Sequence, residues 1–482
     1  MIHPEAKDVF EIFSQLNMIP RPSWHEERVA DFLCDFARQL SLPYRRDPRN
    51  CVVISKPATK GYEHAAPVAL LNHSDMVCVA KQGVDYAPLT SPIRAYTQNG
   101  WIMAHGSSLG ADNGIGLAMA LAVLKSIDIP HPALEVVTTS NEEDGMTGAA
   151  NLSKDFMSAR RIINLDSEDY DTITLGSAGA LLQSTVIPFS LTSIPCGHCL
   201  WRVRITGGLG GHSGVDIGKH RTNANWLMAC FLHKVLLNDR AMLVNISGGS
   251  ANNAIANVCE ATIACCCDDV IARLADDYQR CLTAQYGAYE KDLRISLERL
   301  RDVAGTEMAG MDYNTSHSVI RALHLLPNGP LAMSKTISGT VETSNNTGCI
   351  RTEAGHLSVS NYSRSFCEES LHRLGNDVRS ILAEAGGESK VIMRAPAWLS
   401  PTDTPFIRLA EDVFADVLCF RPRKVAMHFA LEAGFFMEKY PGVEMISIGP
   451  KIIDPHSTAE RVSVESVNNI WAVLKEMLSR MR

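Results

Sequence analysis

The chain has 482 residues, 46% of them hydrophobic and 20% charged, and carries a formal net charge of -8. That length exceeds what one hydrophobic core ordinarily holds, so two domains are expected. The acidic balance leaves no electrostatic footprint for nucleic acid or an anionic membrane, and no uninterrupted apolar stretch reaches spanning length.

The opening MIHPEAKDVFEIFSQ lacks a basic stretch followed by a long apolar core, so no secretory signal is expected and the compartment reads as cytoplasmic. Ser23 and Glu26 have the spacing of a capping box. Behind them Val29, Phe32, Leu33, Phe36 and Leu40 share one helical face. Apolar runs of strand length follow at CVVIS, PVALLNHSD, LEVVTTS and RIINLD, with helical patterns between several of them. Runs apolar on both faces and separated by helices indicate a mainly parallel sheet covered by helices, which binds ligands beyond the carboxyl ends of its strands. Between the second and third runs lies HGSSLGADNGIG, residues 105–116, opening an apolar stretch that reads as a buried helix. Taken alone, Asp112 in that turn reads as a helix cap.

From about Pro188 the pattern changes. LWRVRIT reads as a strand ending in the glycine-rich GGLGGHSG. A helix over 221–238, strands AMLVNIS and VCEATIACCC, a helix over 270–285 and a strand DLRISLE complete the order βαββαβ. A partial second copy comes after it: a helix over 316–325, strands TVETSNN and LSVSNYSR, a helix over 371–385 and a strand over 389–394. After Pro396 the first pattern resumes, and the last helix buries Val467, Ile470, Trp471, Leu474, Leu478 and Met481. The expected fold class is α/β. Residues 1–186 and 397–482 would form a catalytic domain with a mainly parallel sheet. Residues 187–396 would form an inserted α+β lid or dimerisation-type domain of one or two βαββαβ-like units.

Fourteen cysteines in so long a chain are no disulfide framework, and Cys265, Cys266 and Cys267 read as part of a buried strand. Cys196-Gly197-His198-Cys199 spells a dithiol motif. It precedes a strand and has no helix behind it, which argues against a redox function.

The acids and histidines at the strand ends carry the functional signal. His73 and Asp75 close one run, Glu142 and Glu143 follow another, Asp166 ends a third, and His456 lies beyond the last. Any one of them is an ordinary turn residue. Strand-end positions that all carry His, Asp or Glu point to a cation site together with Asp112, and Asp75 is placed to orient the His73 ring. Nitrogen and oxygen donors without thiolate suit zinc, with manganese or cobalt as alternatives.

HSD at 73–75, GADNG at 110–114, EEDG at 142–145, LDSE at 165–168, GGHSG at 210–214 and PHS at 455–457 together resemble the M20 metallopeptidases. The resemblance is closest to the aminoacyl-histidine (Xaa-His) dipeptidase group and runs along nearly the whole chain. It implies two zinc ions bridged by Asp112, with His73 and Asp166 completing one ligand set and Glu143 and His456 the other. It further implies Glu142 as general base, Asp75 as the orienting partner of His73, and a cis peptide after Asp112. His212 would stabilise the oxyanion, and Asn253 and Arg364 would hold the substrate's carboxylate end. The implied partner is a small peptide, with a homodimer admitted. The chain departs from its group where NAIANVCE stands for NAIPRE and HFALEAG for HAGLECG, changes at Ala256, Asn257, Phe429, Ala430 and Ala433, and around Gly218 and His220. These departures touch none of the implied metal ligands and bear on substrate choice. The competing expectations are an M20-type tripeptidase or N-acyl amino acid deacylase, and a non-catalytic binding protein, which loss of a ligand or of the base would favour.

Overall fold

A computed structural model describes residues 6–303 and 308–482. Residues 1–5, part of the stretch read for a targeting signal, lie outside them. The chain divides into two compact units, one of residues 1–176, 398–426 and 431–482, the other of 177–397 and 427–430.

The first unit is built on a nine-stranded sheet. Its centre is parallel, in the order Leu134–Thr139, Val68–His73, Arg161–Asn164 and Glu444–Ser447. Val52–Lys56 and Tyr44–Arg46 continue one side antiparallel, and Thr172–Ser177 runs antiparallel to Glu444–Ser447. All six residues of Val68–His73 are buried, as a strand covered on both faces requires. The helix Ala111–Lys125 is apolar around its circumference and almost wholly buried. It shares one core with the inner faces of Lys7–Leu16, Pro405–Leu418 and Val464–Arg480. The expected face of the last helix is buried at all six positions.

The capping box does not form. The helix Glu27–Gln39 starts without a side-chain cap, because Ser23 Oγ donates instead to Asp75 Oδ2 at 2.8 Å. Glu26 turns its carboxylate to the backbone N–H groups of Trp24 and Asn141. Both residues are taken up by the strand-end loops rather than by their own helix.

The second unit holds another nine-stranded sheet. Eight strands run in the order Arg294–Asp302, Cys199–Thr206, Cys259–Cys265, Met242–Gly248, Val341–Glu353, His356–Ser365, Gly179–Pro188 and Glu388–Ala395, and Gly329–Met333 pairs with Val341–Glu353. Numbered by position within each βαββαβ copy, the eight read 4-1-3-2 and then 2-3-1-4, a mirrored arrangement. The first strand of the second copy is Gly179–Pro188, which precedes the first copy in the chain. One copy is thus threaded inside the other, which is why the sequence pattern of the outer copy lacks its opening strand. The copies join where Ser247 and Gly248 of Met242–Gly248 pair with Arg351 and Ile350. Cys265 is buried at a strand end, but Cys266 and Cys267 lie past it and are exposed, so only the first of the three belongs to the strand.

Candidate metal centre

Each of the four central parallel strands of the first unit delivers acids or a histidine at its carboxyl end. His73 is the last residue of its strand and only 1% exposed. Asp166 stands two residues beyond Asn164, on the adjacent strand. Glu142 and Glu143 follow Leu134–Thr139, and His456 follows Glu444–Ser447 in the loop after Ile452–Ile453. Asp112 enters from the start of the buried helix, where its backbone is non-helical and its peptide bond to Asn113 is cis.

These side chains form two groups that share Asp112. In one, His73 Nε2 lies 3.2 Å from Asp112 Oδ1 and 3.4 Å from Asp166 Oδ1. In the other, His456 Nε2 lies 3.2 Å from Asp112 Oδ2 and 2.9 Å from Glu143 Oε2. Within each group of three, the donor atoms lie within 4.8 Å of one another. The two oxygens of one carboxylate therefore face two separate donor sets.

The donor set fits a pair of cations. Glu143 Oε1 is buried and has no hydrogen-bond partner among the described residues. Asp112 and Glu143 push His456 up to about 11 through hydrogen bonds and charge. Against the cost of burial, Asp166, Asp112 and Asp75 hold His73 well above the usual imidazole range. Burial pushes Asp166 up to about 6, with the Asp112 charge adding to it. Burial, then Asp166 and Glu143, raises Glu142 well above the carboxylate range. The carboxylates thus crowd negative charge that protons on the histidines only partly offset. A divalent cation in each group would take the place of those protons.

Asp75 orders the acids. Its Oδ1 accepts the backbone N–H of Glu142 at 3.0 Å, its Oδ2 that of Glu143 at 3.2 Å, and its Oδ1 lies 3.5 Å from His73 Nδ1. One carboxylate thereby fixes the turn carrying both glutamates and faces the far side of the His73 ring.

Three buried residues carry no signal in the sequence. Glu460, 3% exposed, accepts the N–H groups of Leu109, Gly110, Ala111 and Asp112 at 2.7, 2.9, 2.7 and 3.3 Å. It serves as the anion that a helix N-terminus attracts. Arg21 donates to the carbonyl oxygens of Ser74, Asp75 and Gly110, tying the His73 loop to the Asp112 turn. Gly110 has φ +67°, and a Cβ there would meet Met76 Sδ at 2.5 Å and Arg21 Nη2 at 2.7 Å, so this approach requires glycine. Glu432 is buried beside the strand end, accepts from Thr139 Oγ1 at 2.5 Å, and is pushed up to about 8 by burial. The PHSTAE stretch carries Glu460 four residues after His456, but nothing in its spacing links it to a turn 350 residues away. Glu460→Ala should cost roughly 2–3 kcal/mol of stability, the scale of stranding donors that met a charged acceptor. Denaturant unfolding measures it, and an unchanged midpoint would remove Glu460 from this role.

The remaining expected residues meet in the second unit. Gly211–His212 pairs with Ala254–Ile255, which sets His212 opposite Ala254, and Ser213 N–H donates to Asn253 O at 2.8 Å. Arg364, 2% exposed, donates to Ser213 Oγ at 3.2 Å and lies over the Tyr362 ring at 4.1 Å. Its Nε has no hydrogen-bond partner among the described residues. His212 Nδ1 accepts from the N–H groups of Gly214 and Val215 at 3.3 and 3.2 Å. The neutral ring therefore carries its proton on Nε2. Burial, then the Arg364 charge, lowers its proton affinity and keeps it neutral. His428, from the altered HFALEAG stretch, bonds Ser344 Oγ at 2.7 Å, and burial beside Arg364 takes it down to about 3.

Among the described residues no helix is long and apolar enough to cross a membrane. The profile of "Peptidase family M20/M25/M40" matches residues 69–480. The cytosol non-specific dipeptidase of Escherichia coli (strain K12) is 33% identical over 477 residues, 98% of this chain and 97% of that protein. The structure of aminoacylhistidine dipeptidase from Vibrio alginolyticus superposes with a TM-score of 0.90 at 32% identity, covering 99% of this chain and 97% of that one. A tripeptidase from Staphylococcus aureus shares the fold at a TM-score of 0.57 and 15% identity, covering 100% of this chain and 99% of that one. With its two donor groups at the strand ends, the chain belongs to peptidase family M20/M25/M40.

Proposed function

We propose that the protein is a dipeptidase that hydrolyses the peptide bond of dipeptides, Xaa-His dipeptides foremost, with two divalent cations. The observation that carries this is the Asp112 carboxylate, whose two oxygens face separate donor groups beside Glu142. Two relatives matched over nearly their full length support the substrate class, one named for dipeptides and one for aminoacylhistidine. A cytoplasmic location goes with the first of these names.

His73, Asp112 and Asp166 would hold one cation, and Asp112, Glu143 and His456 the other, zinc by preference, with manganese or cobalt as alternatives. Such a pair, when bound, polarises the scissile carbonyl and lowers the pKa of a water toward neutrality. Glu142 would accept the proton of the attacking water and pass it to the leaving amine. Its backbone is held by Asp75, so the base keeps a fixed register beside Glu143. His212, neutral with its proton on Nε2, donates to the carbonyl oxygen as that oxygen gains charge. Arg364, buried with an unpartnered Nε, and Asn253 bind the substrate's carboxylate. A panel of Xaa-His and other dipeptides, tripeptides and acylated amino acids tests the substrate class. Dipeptides should be cleaved fastest. Preference for acylated amino acids or tripeptides would overturn it.

His212 serves the active site of its own chain, even where the protein pairs through another surface. What supports this is that both mirrored sheet halves of the second unit lie within one chain. An excess of Glu142→Gln protein mixed with His212→Ala protein, under conditions that exchange subunits, should recover no activity. Recovered activity would mean that the histidine acts in trans.

A further inference from the structure

The dithiol-like motif 196–199 is left without a role by the peptidase chemistry, yet its histidine is buried and hydrogen-bonded. The ladder pairing Cys199 with Cys265 ends there, and one further step along it sets His198 opposite Cys266. His198 is 5% exposed, and its Nδ1 donates to Pro195 O at 3.1 Å. That bond fixes the tautomer and leaves Nε2 as a bare lone pair, the arrangement usual for a metal-ligating histidine. Two side chains converge on this lone pair: Cys266 Sγ at 3.2 Å and Tyr313 Oη, from the first turn of Tyr313–Leu325, at 2.9 Å.

One lone pair satisfies one donor. With Tyr313 bonded, the thiol is left, among the described residues, with Arg240 O at 3.5 Å. The cysteine itself is held in place, because the N–H groups of Cys266 and Cys267 both donate to Asp239 Oδ2 at 3.0 Å. The Arg240 guanidinium stacks on the far partner, 4.7 Å from the Tyr313 ring centre. A sulfur and an oxygen therefore both approach one nitrogen, at separations in the same range as the contacts of the candidate metal centre. Cys266 is exposed, so the spot opens to solvent.

We propose that His198, Cys266 and Tyr313 bind one borderline-soft divalent cation of the zinc type. The cation takes the His198 Nε2 lone pair and the Tyr313 oxygen, and the Cys266 thiol releases its proton to solvent on binding. Zinc bonds to nitrogen and sulfur of about 2.0–2.3 Å set ligands roughly 3.3–3.8 Å apart, so the two contacts to His198 Nε2 need lengthen by only a few tenths of an ångström. Sulfur excludes magnesium and calcium as the natural occupants. The site lies wholly within the second unit, and it stands or falls independently of dipeptidase activity.

Cobalt(II) alone is the probe, added to the full chain. The candidate metal centre offers only nitrogen and oxygen donors, so a thiolate-to-cobalt charge-transfer band in the near ultraviolet reports a separate, sulfur-containing site. Wild type should develop that band and bind one more equivalent of metal than Cys266→Ser, which should lack the band. His198→Gln should lose it too, and Tyr313→Phe should bind cobalt at least severalfold more weakly. Peptide hydrolysis should be unchanged in Cys266→Ser, a surface substitution that leaves the protein folded even if His198→Gln does not. Absence of the band in wild type, or a band and metal content unchanged by Cys266→Ser, would overturn the proposal.

Discussion

Glu142→Gln should keep both cations and lose on the order of a hundredfold or more in turnover, with KM little changed. The amide preserves the shape of the side chain and leaves Asp75 its two backbone bonds, so the turn stays in place. What is lost is the capacity to take a proton from water and return it to the amine. Glu143→Gln should show the opposite balance, because Glu143 Oε2 stands 2.9 Å from His456 Nε2 inside a donor group. Its metal content should fall first and its activity with it, and excess metal should restore part of the rate. Metal analysis beside steady-state kinetics separates the two. Variants that exchanged these defects would reverse the assignment of adjacent glutamates.

Asp112→Asn should have the larger effect on metal content. Every other member serves one donor group, whereas Asp112 serves both. Replacing one oxygen by an NH2 group removes an acceptor from one group and a negative charge from both, while volume and shape hardly change. Both cations should be lost together on dialysis, and turnover should fall by roughly a thousandfold or more, the scale of several kcal/mol of lost electrostatic stabilisation. His73→Gln should deplete one group and spare the other. If Asp112→Asn retained two cations at wild-type affinity, the shared carboxylate would not be the bridge.

The two candidate donor groups were legible because their residues sit at strand ends. A parallel sheet sends its carboxyl ends to one edge, so His73, Glu143, Asp166 and His456 could be placed together from four apolar runs and the polar residues just beyond each run. Glu460 and Arg21 were not legible in the same way. Their partners are backbone N–H and C=O groups of remote turns, and backbone groups carry no mark in the sequence. Ser23 misled for a related reason: its spacing to Glu26 fits a helix cap, but Asp75 is a charged acceptor and drew the hydroxyl away. The threaded copy in the second unit was hidden because its first strand, Gly179–Pro188, is separated from the other strands of its copy by the whole of the inner copy. Cys266 and Cys267 resemble strand residues because hydrophobicity alone cannot mark where a ladder stops.

Zinc titration of chelated protein, with hydrolysis of a Xaa-His dipeptide followed at each step, is the decisive measurement for a dipeptidase that works with two cations. Activity should be absent in the metal-free protein, rise with added zinc, and reach its plateau once two equivalents are bound to the His73, Asp112, Glu143, Asp166 and His456 set. Full activity in the chelated protein, or a metal-saturated protein that leaves every dipeptide intact, would contradict it.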